Sequence, residues 1–426
     1  MLPDDQRQTA HEDAPDRVGR AARAVIKAAF GVCATFTSST FNPQLVPPDY
    51  GYVPQAVALG LWLIIIATSM FAPRVRSLSL GTDLVMILAF YGWAICSVAW
   101  SDWSVSSALK SVALLITTFG SFRLATRLPL HDIVGAVAGG LFLLLLASLV
   151  VVVFWPEVGV DQSWMHGGQW QGVFESKQSL GFLASFAAFF ALYRRLTGGS
   201  WLMFLLFFGL AVAALAGSAS RGSAAVAVMS CGALLLCRMS KGFVRALAVV
   251  PLFCIGVAFA LILYLYVTEL DHFLVFDAKV DLTERTFIWH YGIDRLDDRL
   301  FAGYGLDGFW SDARMQGFRE AHGWVLDNFH SGYLTILAEC GMVGFTLFLL
   351  LALFFAVRMV GLTISNALPA PQCAVIACFV ALSFQTNLTE TMFLRSTSLM
   401  AILFVVFLFL SCHPMHHAER ALRASA

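Results

Sequence analysis

Long apolar segments decide what this chain can become. A helix of about 20 apolar residues crosses the roughly 30 Å hydrocarbon layer of a bilayer. Backbone groups in lipid must hydrogen-bond within their own segment, so such segments are expected to be helical. The sequence therefore predicts an all-α, polytopic membrane protein with about 12 transmembrane helices, at residues 22–41, 52–71, 82–100, 107–125, 133–154, 179–193, 201–217, 222–237, 246–267, 332–357, 372–388 and 397–412.

Composition excludes several classes of protein. Hydrophobic residues make up 59% of the 426 residues and charged residues only 13%, about half the charged share of a soluble domain. With 27 basic and 27 acidic residues, the chain has no positive excess with which to hold a nucleic acid. Its nine cysteines form no Cys-x-x-Cys pair, so neither a disulfide framework nor a zinc site is predicted.

Basic residues in the short connections predict the orientation. The side that holds the N-terminus carries most of them: Arg17, Arg20, Arg23, Lys27, Arg74, Arg76, Arg123, Arg127, Arg194, Arg195, Arg238, Lys241, Arg245, Arg358, Arg420 and Arg423. The short connections of the opposite side hold only Lys177, Arg221 and Arg395, with Lys110 just inside a helix. By the positive-inside rule both termini are cytoplasmic. We expect cytoplasmic tails at residues 1–21 and 413–426, and helices over 22–267 and 332–412.

One connection is long. Residues 268–331 are polar and, by the same rule, lie on the side of the membrane opposite the cytoplasm. An amphipathic helical stripe is formed there by Leu282, Trp289, Ile293, Leu296 and Leu300. Three glycines then interrupt it between residues 303 and 308. We expect a structured lid over the membrane rather than a flexible linker.

Outward-facing cations are candidates for binding a phosphate. Arg221 lies between two apolar helices, where a charge is costly unless it is paired or hydrated, and a guanidinium matches phosphate in a bidentate way. The alternative is a structural arginine that pairs with an acid. Lys177, just before a helix, and Arg285, at the start of the amphipathic helix, are further anion-binding candidates. For these two, and more strongly for Arg395, the alternative is an interfacial or solvated charge.

His330 is the candidate general base. It falls where the long connection meets the tenth predicted helix. In the first turn of a helix the dipole favours the neutral imidazole, and a general base must be neutral near pH 7. Tyr333, three residues later, is expected on the same face. The alternative is a capping or interfacial histidine. His290 and His322 in the same connection are weaker candidates.

Several signals of other chemistries are missing. The sequence contains no P-loop, no Gly-x-Gly-x-x-Gly that opens a helix after a strand, and no His-Glu-x-x-His. The outer connections contain no Asp-x-Asp, so a metal-bound nucleotide sugar is not predicted. Carboxylates within the apolar segments are few: Asp83, Glu339 and Glu390. Ion-driven carriers usually keep ionisable residues at mid-membrane, so this scarcity weakens a transporter reading.

Four motifs together resemble the bacterial O-antigen ligase and polymerase superfamily. The segment from Phe329 to Gly344 is similar to its His-Asn-x-Tyr-Leu and Glu-x-Gly-x-x-Gly signature, with Ser331 in place of Asn. Further matches are Gly303-Tyr304-Gly305 with Phe309-Trp310, the segment 284–289, and the Ser-x-Ser-Arg-Gly turn at 218–222. The pattern Gly172-x-Phe-x-x-Lys177-x-x-Leu180-Gly181 resembles the exopolysaccharide polymerase branch, the ExoQ-like proteins, although Gln178 replaces the usual Asn.

The resemblance implies a GT-C-type glycosyltransferase in the bacterial inner membrane. Its donor would be a glycan linked to undecaprenyl diphosphate, transferred with inversion on the periplasmic face and without a metal or other cofactor. His330 matches the proposed base of the family, and Arg221 and Arg285 match its pyrophosphate-binding arginines. Supporting roles are implied for Lys177, which joins the diphosphate site, and for Tyr333 and Glu339; Arg395 is added to these from its position.

Three functions stay open at this point. The first is a polymerase that joins lipid-linked repeat units, with a flippase and a chain-length regulator as partners. The second is a ligase that moves a finished glycan onto lipid A-core or a protein, by the same chemistry. The third is a polysaccharide flippase or transporter. The enzyme reading is favoured because the candidate groups collect on one side of the membrane, and we expect Lys177, Arg221, Arg285 and His330 to face one cavity.

Overall fold

The structure, a computed structural model, describes residues 4–37, 40–75, 81–163, 167–268, 273–275, 278–280, 285–324 and 326–412. The predicted tail 413–426 lies outside the described residues. Fifteen α-helices occur in these ranges: α1 Asp4–Phe36, α2 Val53–Thr68, α3 Thr82–Cys96, α4 Ser104–Arg127, α5 Leu130–Phe154, α6 Pro156–Gly159, α7 Lys177–Leu196, α8 Trp201–Ser218, α9 Arg221–Met239, α10 Lys241–Thr268, α11 Arg285–Ile293, α12 Asp312–His322, α13 Gly332–Ile364, α14 Ala370–Thr386 and α15 Leu399–Ser411.

The prediction of a helical chain is confirmed, with one small addition. Two three-residue strands, β1 Phe273–Val275 and β2 Ala278–Val280, pair antiparallel with Phe273 opposite Val280. Short 3₁₀ turns lie at Pro48–Tyr50, Ser97–Trp100 and Asp297–Arg299.

Eight helices of the described residues are long and apolar enough to cross a membrane. They cover Pro48–Thr68, Thr82–Trp100, Ser104–Arg127, Leu130–Phe154, Trp201–Ser218, Arg221–Met239, Lys241–Thr268 and Gly332–Ile364. Two further predicted segments correspond to the shorter apolar helices α14 and α15. The segments 22–41 and 179–193 overlap α1 and α7, which are not among the eight. The chain is thus a polytopic membrane protein, while the count of 12 stays a prediction.

The surface of the spanning helices fits a hydrocarbon environment. On α8, Trp201, Leu202 and Leu205 are more than half exposed, and α8 is only 18 residues long. A continuous exposed apolar face of this kind is unstable in water and requires lipid or a partner. The same helix packs its other face against α7.

The chain divides into two compact units. The first comprises Met1–Leu78, Phe119–Ser240 and Thr397–Leu399, and the second comprises Ser79–Thr118, Lys241–Ser396 and Met400–Ala426. In the first unit α7 packs against α5, α8 and α9, and α1 packs against α2 and α5. In the second unit α10 packs against α13 and α14, and α13 packs against α3.

Helix α13 is broken, contrary to the continuous helix predicted over 332–357. At Gly341 the backbone has φ 66° and ψ −171°, a combination essentially restricted to glycine. Backbone groups released by the break are bound by the preceding segment: Met342 N–H donates to the Leu300 carbonyl, and Tyr304 N–H donates to the Ala338 carbonyl. One non-helical residue therefore breaks the helix without leaving these groups unpaired.

Gly303 allows the backbone of the 300–304 segment to approach the break in α13. Its φ is 75°, and a Cβ there would lie 2.5 Å from both the Glu339 carbonyl carbon and the Gly341 nitrogen. Two glycines thus bring the two backbones together, which explains why both motifs carry glycine. Tyr304 follows in this segment, where its hydroxyl donates to the Arg295 carbonyl. Burial raises the pKa of the Tyr304 phenol, and the Arg314 guanidinium 4.1 Å from its ring centre opposes that rise.

The predicted amphipathic helix exists but is shorter than its stripe. Helix α11 ends at Ile293, and its Ile288, Trp289 and Ile293 side chains are buried. Leu296 is buried beyond the helix end, whereas Leu300 is 42% exposed. Leu282 lies outside the described residues. A second helix, α12, was not predicted; it packs Phe318 inward and ends at Gly323, whose φ of 85° is typical of a helix C-cap.

Candidate active site

Lys177 and Arg221 line one cavity of the first unit. Its volume is about 440 Å³, and its walls are formed by Gln169, Lys177, Gln178, Ala219, Ser220 and Arg221. The Lys177 ammonium donates to the Gln169 side-chain carbonyl. The Arg221 side chain has no hydrogen-bond or ion-pair partner among the described residues. The cavity therefore presents a half-buried ammonium and an available guanidinium, a combination that suits an anion.

Helix ends place these two cations. Lys177 is the first residue of α7, capped by the Ser176 hydroxyl, which accepts from Ser179 N–H. Arg221 is the first residue of α9, directly after a turn in which Ala219 has φ 48°. The first residues of both helices line the cavity, and helix N-termini favour anions. The sequence predicted Lys177 just before its helix; the helix begins at Lys177 itself.

A second polar cavity lies in the same unit. About 340 Å³ in volume, it is lined by Asn42, Pro43, Gln44, Glu157, Val160, Gln162, Gln171 and Glu175. Two backbone hydrogen bonds join the segments that line it: Asn42 N–H donates to the Val173 carbonyl, and Glu175 N–H donates to the Thr40 carbonyl. Glu175 lies two residues from Lys177, so one segment contributes to both cavities. Amide and carboxylate side chains of this kind can bind the hydroxyl groups of a sugar.

In the second unit, His330 has an unusual backbone conformation. Its φ is 48°, in the left-handed region where histidine is enriched relative to most residues. The Asn328 side-chain oxygen accepts from His330 N–H at 2.9 Å, which is an Asx turn. The N-cap of α13 is Ser331, so His330 precedes the helix, and its predicted place in the first turn is wrong. The helix begins later because His330 is left-handed and Ser331 is extended, with φ −152° and ψ 111°, and the Ser331 hydroxyl caps the helix by accepting from Leu334 N–H.

Packing from several elements fixes this conformation. Phe329 is fully buried against Phe309 and Trp310, and the Trp289 indole N–H of α11 donates to the Phe329 carbonyl at 2.8 Å. On the other side, Ser331 N–H donates to the Thr391 hydroxyl. The left-handed residue is thus over-determined by its neighbours, as strained residues at functional sites generally are.

A carboxylate joins His330 to Arg285. Glu390 Oε1 lies 3.1 Å from Arg285 Nη2, and Glu390 Oε2 lies 3.7 Å from His330 Nδ1. All three side chains are between 24% and 39% exposed, so the cluster is reachable from outside. Arg285 uses one terminal nitrogen for Glu390, which leaves other guanidinium donors for a ligand.

Of the remaining predicted site residues in the second unit, two are buried and one is exposed. Tyr333 is fully buried, and its hydroxyl donates to the Phe384 carbonyl at 2.7 Å. Glu339 is buried nearly two turns further along α13, where its backbone carbonyl accepts from Gly305 N–H. Arg395 is exposed in the connection between α14 and α15. Tyr333 and Glu339 therefore belong to the buried framework of the second unit, and their supporting roles stay a prediction.

The two weaker histidines differ from His330. His290 lies within α11, 3.9 Å from Asp294 one turn later. His322, in the last turn of α12, is exposed and contacts Phe318, with ring centres 4.4 Å apart and the ring planes tilted by 35°. Neither has the carboxylate and arginine arrangement of His330.

Sequence reasoning did not include Glu390 in the site. The available signal was its position: it is one of the few carboxylates at the end of an apolar segment, on the side predicted for the cations. Its partners are about 60 and 105 residues away in the sequence, so no local pattern connects them. Among the described residues, no group of three or more His, Cys, Asp or Glu side chains is placed to hold a metal ion.

The structure groups the candidates within units. Lys177 and Arg221 share a cavity of the first unit; Arg285, His330, Tyr333, Glu339 and Arg395 belong to the second. That all four principal residues face one cavity stays a prediction.

The long apolar helices define a polytopic membrane protein. The family model described as O-antigen ligase matches residues 204–349, about a third of the chain. This match confirms the resemblance to the O-antigen ligase and polymerase superfamily over these residues. The match includes five of the seven predicted site residues: Arg221, Arg285, His330, Tyr333 and Glu339. Neither a curated protein nor a solved structure matches the chain.

Proposed function

We propose that this protein polymerises oligosaccharide repeat units linked to undecaprenyl diphosphate, as an inverting, metal-independent glycosyltransferase of the GT-C type. The family match indicates a membrane enzyme of the O-antigen ligase and polymerase type that acts on lipid-linked glycans. We further propose that the reaction takes place on the periplasmic face of the inner membrane and that both termini are cytoplasmic. A flippase and a chain-length regulator are its proposed partners.

One observation carries the proposal: His330 is held beside Glu390 and Arg285 at an accessible position. Transfer of a glycan from a diphosphate needs a group that takes a proton from the acceptor hydroxyl and groups that stabilise the departing diphosphate. The cluster offers both kinds of group. A flippase moves its substrate unchanged and has no need of a base.

The reaction is a single displacement. His330 accepts the proton of the acceptor hydroxyl as its oxygen bonds to the anomeric carbon of the donor. The bond from that carbon to the diphosphate oxygen breaks, and undecaprenyl diphosphate leaves with the bonding electrons. Attack from the face opposite the leaving group inverts the anomeric centre.

Cations stabilise the charge that develops on the leaving group. Arg221 and Lys177, at two helix N-termini on one cavity, bind the diphosphate, and the free donors of Arg285 add to this. The neighbouring cavity with Glu157, Gln171 and Glu175 binds sugar hydroxyls of the same substrate. The polyprenyl chain stays in the bilayer against exposed apolar helix faces.

The polymerase is favoured over the ligase by the segment 172–181, which is similar to the exopolysaccharide polymerase branch. The ligase remains the second candidate because the matching family model is described by that activity. Both reactions use the same base and diphosphate site, and they differ in the acceptor.

Reconstitution tests the proposal. Purified protein in vesicles receives the lipid-linked repeat unit extracted from cells that lack the protein, with and without lipid A-core. A ladder of polymer made from the repeat unit alone supports the polymerase. Glycan found on lipid A-core, with no ladder in its absence, identifies a ligase. Movement of the repeat unit across the bilayer without any new glycosidic bond would refute the enzyme.

A further inference from the structure

Glu390 contacts the proposed base and a proposed diphosphate ligand with different oxygens. Oε1 binds Arg285 at 3.1 Å, and Oε2 lies 3.7 Å from His330 Nδ1. A carboxylate used only to neutralise one arginine would have no reason to direct its second oxygen at an imidazole. The geometry instead resembles the carboxylate–imidazole pairs that orient a general base.

The backbone of Glu390 is fixed independently of its side chain. Its N–H donates to the Thr386 carbonyl at the end of α14, and its carbonyl accepts from Gly332 N–H at 2.9 Å. Gly332 N–H also donates to the Asn387 carbonyl at 2.9 Å. The carboxylate is therefore presented from a turn that is hydrogen-bonded to the start of α13, next to His330.

His330 Nδ1 needs a partner. It is a buried nitrogen without a hydrogen-bond partner among the described residues, and an unmade hydrogen bond at a buried group costs about 1–3 kcal/mol. The Glu390 carboxylate is the acidic group in ion-pair range of this nitrogen. A shift of roughly 1 Å would close the gap to an ordinary hydrogen bond, and catalytic hydrogen bonds often tighten when substrate binds.

We propose that Glu390 is the positioning residue of His330. Its carboxylate accepts a hydrogen bond from His330 Nδ1–H, which fixes the tautomer with the lone pair on Nε2. Nε2 then takes the proton of the acceptor hydroxyl while the oxygen bonds to the anomeric carbon and the diphosphate leaves. The carboxylate stabilises the imidazolium that results, until its proton passes to water. This inference rests on the proposed function.

The same carboxylate holds Arg285 in register with the base. Arg285 opens α11, and His330 precedes α13; the Trp289 indole of α11 already binds the Phe329 carbonyl next to His330. Glu390, from a third element, links the two side chains. The charged groups that face His330 in this cluster are Glu390 itself and, through it, Arg285.

A double-mutant cycle distinguishes positioning of the base from a structural role. Glu390→Gln keeps the size of the side chain and removes its charge. Single-turnover transfer of the lipid-linked repeat unit should fall by about 10²-fold, and by no more than His330→Asn costs, since removal of a general base costs about 10²–10⁴-fold. In the His330→Asn background, Glu390→Gln should cost less than about twofold. A structural role would give the same loss in both backgrounds.

A binding measurement tests the same proposal in variants that have lost their transfer activity. Undecaprenyl diphosphate is titrated into wild type, Glu390→Gln and Arg285→Ala. The proposal expects Glu390→Gln to bind within about threefold of wild type, while Arg285→Ala binds at least tenfold more weakly. If Glu390→Gln weakened binding as much as Arg285→Ala, the carboxylate would act through the arginine and the inference would be wrong.

The matched control is Glu320→Gln on α12. Glu320 is exposed and accepts a hydrogen bond from Gln316 one turn earlier, so its loss should leave transfer unchanged. If the wild-type protein is active and Glu390→Gln transfers the repeat unit at the same rate, this inference alone is overturned. A wild-type protein that forms no glycosidic bond would overturn the proposed function, and this inference with it.

Discussion

The break in α13 offers a quantitative test of how the site is built. Gly341→Ala places a methyl group where the backbone has φ 66° and ψ −171°. This region costs a residue with a side chain about 1–3 kcal/mol. The new Cβ would lie 2.6 Å from the Ala302 carbonyl carbon and closer still to the Phe301 oxygen. Ordinary contacts are about 3.5 Å or more, so the 300–303 segment must retreat by roughly 1 Å.

That retreat weakens the hydrogen bonds that satisfy the broken helix. Met342 N–H to the Leu300 carbonyl and Val343 N–H to the Phe301 carbonyl would each lose about 1 kcal/mol. With the backbone strain, the expected destabilisation is about 3–5 kcal/mol, at the severe end for one substitution. Because α13 begins directly after His330, transfer activity should fall together with stability.

Thermal unfolding of the purified protein in detergent measures the effect. Gly341→Ala should lower the unfolding midpoint strongly. The control is Gly256→Ala in α10, where a Cβ meets nothing within 4 Å and alanine is favoured over glycine in a helix by about 1 kcal/mol. An unfolding midpoint for Gly341→Ala equal to that of Gly256→Ala would refute the account of the break.

Three predictions concern the chemistry. His330→Asn, which tolerates the left-handed backbone, should lower turnover by about 10²–10⁴-fold with undecaprenyl diphosphate binding retained, whereas the exposed His322→Ala should be active; an active His330→Asn would move the base elsewhere. Arg221→Ala should weaken both binding and turnover, with partial rescue by Arg221→Lys, which lacks the bidentate fork; an Arg319→Ala control on α12 should bind normally, and equal binding by all variants would exclude Arg221 as a ligand. Excess EDTA should leave turnover intact, and loss of turnover that Mg²⁺ or Mn²⁺ restores would contradict the metal-independent mechanism.

Much of the membrane architecture could be read from the sequence. Apolar stretches of about 20 residues leave a chain little alternative to spanning helices, and all twelve predicted segments overlap helices of the structure. The helix starts at Lys177 and Arg221 were near their predicted positions because the change from polar to apolar residues, and at Lys177 the Ser176 cap, are local signals. For the same reason, the cations at these ends could be proposed as anion ligands before their shared cavity was known.

His330 was predicted as the base, but its backbone was not. The helix-dipole argument assumed that α13 included it, whereas His330 is left-handed and the Asn328 side chain and the Thr391 hydroxyl bind the amides of His330 and Ser331 just before the helix. Thr391 is 60 residues away, so its contribution could not be anticipated from the local pattern around His330.

What the sequence alone determined is therefore the membrane class, the resemblance to a superfamily and the choice of the principal candidate residues, since hydropathy and motif spacing are local properties. Only the tertiary structure decided that Glu390 joins His330 to Arg285, and that Gly341 and Gly303 dock a loop into a broken helix. Each of these depends on contacts between segments far apart in the chain. Such contacts follow from how helices pack, and side-chain packing is not encoded by the periodicity of any single segment.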